Sequence, residues 1–343
     1  MFTPVESALG AILLQQASTA LLFNNGCVLG ASGQLRGILT GPTFKTSAFI
    51  AGMALSVFVT KTIFPTLIPH YDVPQQDWND SLWIVGLGTL TGYGTKSCNG
   101  CTSGHMLCGV SRLSARSLIA TLTFMVVAYV THQYVVPSSS TKFSSSNCPA
   151  GVDCYAPVYP NSDLVVNLVL AITASIVSLH LIPSIVFRVA NKSELAGLAS
   201  RLLVGFTFGF GLLVSGFADP VKVLSFFSVS FGPLDITAWD PSLGFVGLFA
   251  IVPNIIWWNF ATAEPPNSAP ECKGPPKYNR RYELPTTSLS SITLRFMIGA
   301  VLFGVSWGAS GSCPGPAILR TLVQPWWGVL WVEGFLMGSL IPF

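Results

Sequence analysis

Residues Gly92–Arg116 read GYGTKSCNGCTSGHMLCGVSRLSAR, with five glycines and three cysteines in a stretch set among long apolar runs. Glycine costs a helix roughly 1 kcal/mol per residue relative to alanine, so this density predicts irregular backbone. Irregular backbone at membrane depth persists only where protein buries it or where it lines a polar cavity. A second stretch of the same character, Gly304–Pro316 (GVSWGASGSCPGP), lies near the other end of the chain. The pair predicts two broken segments that meet to form a pore or binding site.

The composition around them fits a polytopic membrane protein. Half of the residues are hydrophobic and only 9% are charged, against about 25% charged in soluble domains. The 32 glycines and 24 prolines point to broken helices. A net charge of +3 gives no sign of a nucleic-acid partner. The N-terminus, MFTPVESALGAILL, has no basic residue before its apolar run, so it reads as a first membrane helix and not as a signal peptide. No nucleotide-binding or cofactor motif is present.

The spans follow from apolar runs of about 20 residues. Val5–Phe23 comes first, then a glycine-rich break, then Lys45–Phe64. Ser81–Thr91 reads as a half-span leading into the first cysteine loop. Ser117–Val136 and Leu164–Phe187 are full spans. Leu202–Ser215 and Leu243–Phe260 follow, separated by Gly216–Pro241 with a short helix at Pro220–Val229. Ser291–Trp307 leads into the second cysteine loop, and Pro325–Phe343 is last. The fold class is therefore all-α, with about nine transmembrane helices plus short broken or re-entrant ones.

Laying the halves over each other reveals an internal repeat. Gly26 to Gly33 has the spacing of Gly209 to Gly216, and Gly92 to Cys101 that of Gly304 to Cys313. The order span, glycine break, span, half-span, cysteine loop, span occurs twice. The division is residues 1–136 as first repeat, 137–163 as external polar loop, 164–190 as linker helix and 191–343 as second repeat. Basic residues collect at Arg112/Arg116, Arg188/Lys192/Arg201 and Lys273–Arg281, which the positive-inside rule places in the cytoplasm. The acidic His70–Asp80 loop and Pro137–Asp163 fall outside. The N-terminus is then outside, the C-terminus inside, and the repeats are inverted, an arrangement many transporters share.

Cys101 and Cys313 occupy equivalent places, so inverted loops would bring their thiols together at the membrane centre. The short helices expected at His105–Val110 and Pro314–Leu322 would point their N-termini inward, where partial positive charge favours an anion. Few Lys or Arg fall inside the spans, which argues against a fixed cationic site. Dipoles, hydroxyls and neutral thiols would line the path instead. A thiol is soft and a weak donor, which suits a sulfur-bearing anion. Apolar burial would keep it protonated.

Asn99–Ser117 (NGCTSGHMLCGVSRLSARS) resembles the signature of the YeeE/YedE family of sulfur-transport membrane proteins, and Gly308–Ala317 (GASGSCPGPA) resembles its second cysteine motif. The resemblance implies uptake of thiosulfate or a related sulfur anion at the plasma membrane, with cysteines as successive contacts. That role carries over to Cys101 and Cys313, and by region to Cys27. Asn99, Gly100, Thr102, Ser103, Gly104, Gly311 and Ser312 complete the candidate path. A cytosolic sulfur-handling partner fits the same reading.

Other uses of these residues stay open. Cys98 and Cys101 form a CxxC, the spacing of a membrane thiol–disulfide oxidoreductase; with His105 and Cys108 they could bind a metal. Packing explains Cys98 and Cys108 equally well. Cys148 and Cys154 are disulfide candidates in an oxidising outer loop, and Cys272 is a free thiol in the inner one. His180 reads as a packing histidine or a proton relay, and Asp219 as an N-cap. Glu333 should face protein or water. Trp326, Trp327 and Trp331 read as an interfacial belt.

Overall fold

The computed structural model describes residues 1–38, 44–71, 78–135, 148, 152–231, 234–261, 275–285 and 288–342. Cys272 and Lys273, named in the loop assignments above, lie outside these residues, as do residues 72–77 and 137–147 of the two outer loops.

The described chain is almost entirely helical. Helix α1 (Pro4–Asn25) ends at Gly26, whose left-handed φ of 72° stops it. A six-residue α2 (Ala31–Arg36) follows, then α3 (Phe44–Ile63) and α4 (Trp78–Ser97). Ser103–Gly109 forms a π-helical turn, and α5 (Ala115–Val130) continues through a π turn to Val135. The long α6 (Ser162–Ala190) leads to α7 (Ser193–Val214) and α8 (Pro220–Ser225). A two-residue hairpin, β1 (Ser230–Phe231) and β2 (Leu234–Asp235), pairs Ser230 with Asp235. Helices α9 (Gly244–Val246) and α10 (Val252–Ile256) are joined and extended by π turns into one run over residues 244–261. Helices α11 (Leu294–Ser310), α12 (Pro314–Val323) and α13 (Pro325–Leu340) close the chain.

Among the described residues, seven segments are long and apolar enough to cross a membrane. Helix α4 is not among them because its composition is too polar, and α13 because it has only 16 residues. Large apolar side chains cover the outer surface: Phe58, Leu82, Leu122, Leu170 and Leu340 are all exposed. Such a surface requires lipid around it. The protein is an all-α, multi-span integral membrane protein.

Several elements differ from the expectation. Helix α4 is no half-span: it runs for 20 residues, because its glycines and threonines lower hydropathy without breaking the helix when a neighbour packs on them. Helix α7 begins at Ser193, nine residues before the apolar run, so Glu194 lies in its first turn. The left-handed caps fall at Gly26 and Gly216, which shifts the register obtained by pairing Gly33 with Gly216. Asp219 does cap α8, accepting from the Val221 amide at 2.9 Å. Trp327 and Trp331 are buried and stacked 6.1 Å apart, so neither belongs to an interfacial belt. Glu333, expected to face protein or water, is exposed on α13.

Glycine explains why α13 can lie so close to α4. A Cβ at Gly88 would strike the Trp331 carbonyl, and one at Gly92 the Phe335 carbonyl. Gly334 and Gly338 mirror this, facing the carbonyls of Val85 and Thr89. Small residues four apart on both helices let the backbones approach closely where lipid supplies no hydrophobic drive.

The other long helices pair in a regular way. Helices α1 and α7 run antiparallel: Gly10 faces Gly211 and Ser215, while the Asn25 amide donates to Gly197 O at 3.0 Å. Helices α4 and α11 also cross antiparallel. There Ser306 Oγ donates to Leu87 O at 2.8 Å, and Gly299 sits against Ser97 and Cys98. Helix α3 packs on α7, and the 244–261 run on α1; α13 packs on α4, and α5 on α11. Interhelical polar pairs such as Gln15–Asn254 (3.0 Å), Thr91–Ser306 (2.8 Å) and Ser175–Thr207 (3.1 Å) tie these layers together. In membrane proteins such pairs contribute about 0.6 kcal/mol each.

Candidate functional site

Both cysteine loops turn through a left-handed residue two positions before their cysteine. Asn99 has φ 59° and precedes Cys101; Gly311 has φ 64° and precedes Cys313. Asparagine and glycine are the residues that tolerate this conformation. At Gly311 a side chain would also collide with the Pro220 carbonyl. The turn then releases a short helical piece on each side: the π turn at Ser103–Gly109 and α12, for which Cys313 is the N-cap.

The two loops meet. Thr102 Oγ1 donates to Cys313 Sγ at 3.3 Å. Cys101 Sγ lies 3.3 Å from Ser103 Oγ, which also accepts the Ala31 amide of α2 at 3.1 Å. Cys101 is fully buried, and Ser312 is buried beside Cys313. Thus α2, the first cysteine loop and the second all converge on one point.

A cavity lies on each side of that point. One has a volume of about 60 Å³ and is lined by Thr102, Ser103, Gly311 and Cys313 against Phe208, Phe217 and Trp307. It is apolar except at the hydroxyls and the thiol. The other, about 220 Å³, is lined by Asn99, Gly100 and Gly104 together with Arg36, Arg112 and Arg116. A single water needs roughly 10–15 Å³ on this measure, so both have room for a small ligand. The second cavity departs from the sequence reading, which placed Arg112 and Arg116 as cytoplasmic anchors that could also attract an exiting anion, and expected no fixed cationic site. Their side chains instead turn inward: Arg112 and Arg116 are 5% and 4% exposed.

Cys27 lies apart from the Thr102–Cys313 contact. Its sulfur accepts from Arg201 Nη2 at 3.4 Å, and its backbone bridges to Glu283. Neither Cys27 nor the fully buried Cys101 lines a cavity; Cys101 lies between Gly100, on the wall of one, and Thr102, on the wall of the other. Cys98 donates its thiol to Gly100 O at 3.1 Å, and Cys108 donates to Leu29 O at 3.6 Å. Both are fully buried, Cys98 bonded within its own loop and Cys108 to the segment before α2. His105 is held at both ring nitrogens, by Ser117 Oγ at 3.1 Å and by Cys98 O at 3.0 Å. With both nitrogens engaged it orients the loop and has no free position for a ligand. Among the described residues no group of His, Cys, Asp and Glu has the arrangement of a metal site. His180 meets Gln16 Oε1 at 3.1 Å on an exposed face of α6. Cys148 and Cys154 form a disulfide.

Residues 197–341, from α7 to α13, match a family of unknown function, DUF6691. The chain is also similar to short proteins of Xylella fastidiosa named "Probable transporter". One from strain 9a5c is 34% identical over 128 residues, 37% of this chain and 91% of the relative. A second from that strain is 36% identical over 142 residues, 41% of this chain and 85% of the relative. A third, from strain Temecula1, is 33% identical over 140 residues, 41% and 84% of the two chains. The chain belongs to a transporter superfamily related to YeeE/YedE. Each of these superfamily relatives is covered almost whole by well under half of the present chain.

Proposed function

We propose that this protein is a transporter that takes up thiosulfate or a related small sulfur-containing anion. The path would run between the two cavities, past the neutral thiols of Cys101 and Cys313. The observation that carries this reading is the contact of Thr102 with Cys313, which draws the two cysteine motifs into one site. Thr102 and the Gly315 amide both point at the Cys313 sulfur. With two donors on it, that sulfur has its own S–H left for a ligand in the cavity. A thiol bonds weakly enough for release, which conduction requires. The relatives' name, transporter, supports the general class. The sulfur specificity is supported by the motif resemblance and by the soft chemistry of the apolar chamber.

The architecture we infer is two inverted repeats around linker helix α6, with about nine crossings. Its support is the pairing of helices. Equivalent helices α1 and α7 cross antiparallel, as do α4 and α11, and α13 stands to α4 as α5 stands to α11. The disulfide favours an oxidising side for the 148–154 loop, hence an outer N-terminus, a cytoplasmic C-terminus and a plasma-membrane location. A thiol–disulfide oxidoreductase is the poorer reading, because the Cys98 and Cys101 sulfurs are bonded to different partners.

The test is uptake of labelled thiosulfate into right-side-out proteoliposomes with excess external sulfate. Wild type, Cys98→Ala, Cys101→Ala and Cys313→Ala are compared. Uptake that survives sulfate and Cys98→Ala but is lost in the other two supports a thiol-lined path. Equal uptake in all four removes it.

A further inference from the structure

The 220 Å³ chamber on the Asn99–Gly104 side has a composition that transport past thiols does not explain. Three guanidinium groups line it: Arg36 from the end of α2, Arg112 from the segment leading into α5 and Arg116 from the first turn of α5. Among the described residues lining it there is no Asp or Glu. Buried cations are ordinarily paired, because an uncompensated charge in a low-dielectric site is costly. Here Arg116 is 4% exposed, and its named partners are the Cys98 carbonyl at 3.3 Å and the face of Phe296 at 4.6 Å. Among the described residues, Arg36 donates to the Thr95 hydroxyl at 3.4 Å, and Nε of Arg36 and Nε of Arg116 are buried donors with no acceptor. Asn99, Ser32 and Gln34 add neutral polar groups to the same wall. Arg36 also stands within electrostatic reach of Cys101 and Cys98, so the chamber abuts the cysteine loop.

We infer that this chamber is a binding site for small tetrahedral oxyanions, held through their oxygens by Arg36, Arg112 and Arg116. Guanidinium forks match the spacing of sulfonyl and phosphoryl oxygens, whereas thiols favour terminal sulfur. The two halves of the path then divide the work. The apolar chamber at Cys313 selects for sulfur, and the arginine chamber draws on the charge and oxygens that thiosulfate and sulfate share. Its place in the transport path rests on the proposed function; its capacity to bind an oxyanion does not. In the inferred orientation it opens to the cytoplasmic side, where it would receive the anion after it leaves Cys101.

The test is calorimetric titration of the purified protein with sodium sulfate, at ionic strength held constant with sodium chloride. Saturable sulfate binding is expected. Arg36→Gln and Arg116→Gln should each weaken it by about tenfold or more, the usual consequence of losing one charge-assisted hydrogen bond. Arg36→Lys should recover part of the loss, and Arg188→Gln, an exposed arginine on α6, should change nothing. Arg116 also braces the Cys98 loop, so if its variant fails to fold, Arg36→Gln decides. Absence of saturable binding in folded wild type, or binding indifferent to Arg36→Gln, overturns the inference. Sulfate binding that persists in a protein incapable of thiosulfate uptake would uphold the chamber and remove only the transport reading.

Discussion

Thr102 donates its hydroxyl to the sulfur of Cys313 at 3.3 Å, across 211 residues of sequence. This bond joins the two cysteine loops and fixes which lone pair of the sulfur is occupied. Thr102→Val keeps the shape of the side chain and removes the donor. A net hydrogen bond of about 1 kcal/mol predicts thiosulfate uptake reduced roughly five-fold, with Thr102→Ser close to wild type. Initial rates in proteoliposomes check this. A Thr102→Val rate equal to wild type would mean that the bond is a packing contact without influence on the path.

His105 supports the loop and touches no cavity-facing thiol. Its bonds to Ser117 Oγ and Cys98 O predict that His105→Ala lowers stability by about 1–3 kcal/mol, the cost of stranding buried polar partners. Ser117 and Arg116 remain to order the loop, so the pH profile of uptake should not move between pH 6 and 8. A melting temperature equal to wild type, or a pH optimum displaced by the substitution, would contradict a structural role for this histidine.

The membrane class was legible because apolar runs of helical length need no tertiary information. The two cysteine loops were legible because Asn99–Cys101 and Gly311–Cys313 carry turn-forming residues at one spacing. Other features depended on proximity that no periodicity encodes. Arg112 and Arg116 read as one cytoplasmic anchor and Arg36 carried no reading, and only the fold of α2 against the π turn brings them into one chamber. Trp327 and Trp331 read as an interfacial belt because tryptophan is common there. They are buried because Gly88 and Gly92 of α4, more than 230 positions earlier, leave room for the α13 backbone. The Ser81–Thr91 stretch looked too short for a span for the same reason: its glycines serve a neighbour that the local sequence does not reveal.

That close approach gives the third prediction. Gly92→Val places a branched side chain where the Phe335 carbonyl lies. Separating α4 from α13 should cost at least the 1–3 kcal/mol typical of overpacking, since backbone cannot rotate away as a side chain can. Gly86 lies on the same helix with nothing within 4 Å of a built Cβ. Gly86→Ala should therefore leave the melting temperature unchanged or raise it slightly, through better helix propensity. Thermal unfolding in detergent, followed by circular dichroism, distinguishes the two. Equal tolerance of both substitutions would refute the packing account.

The last prediction concerns the side of the membrane on which the chain begins. Cys154 is bonded to Cys148, and its backbone joins two other segments. It accepts the Phe2 amide at 3.0 Å and donates to Thr237 O at 2.7 Å. The N-terminus, the 148–154 loop and the β1–β2 hairpin therefore share one face. Disulfides persist in oxidising compartments and are rare in the cytosol, so that face should be the outer one. In intact cells a membrane-impermeant maleimide should leave Cys148 and Cys154 unlabelled until a membrane-impermeant reductant is added, and label them afterwards. Closing so short a loop contributes about 2 kcal/mol in the chain-entropy account, so reduction should lower the melting temperature by a few degrees without unfolding the bundle. Labelling that requires permeabilised cells would place this face inside. It would reverse the orientation of both repeats, and the arginine chamber would then open outward and meet the anion before the thiols do.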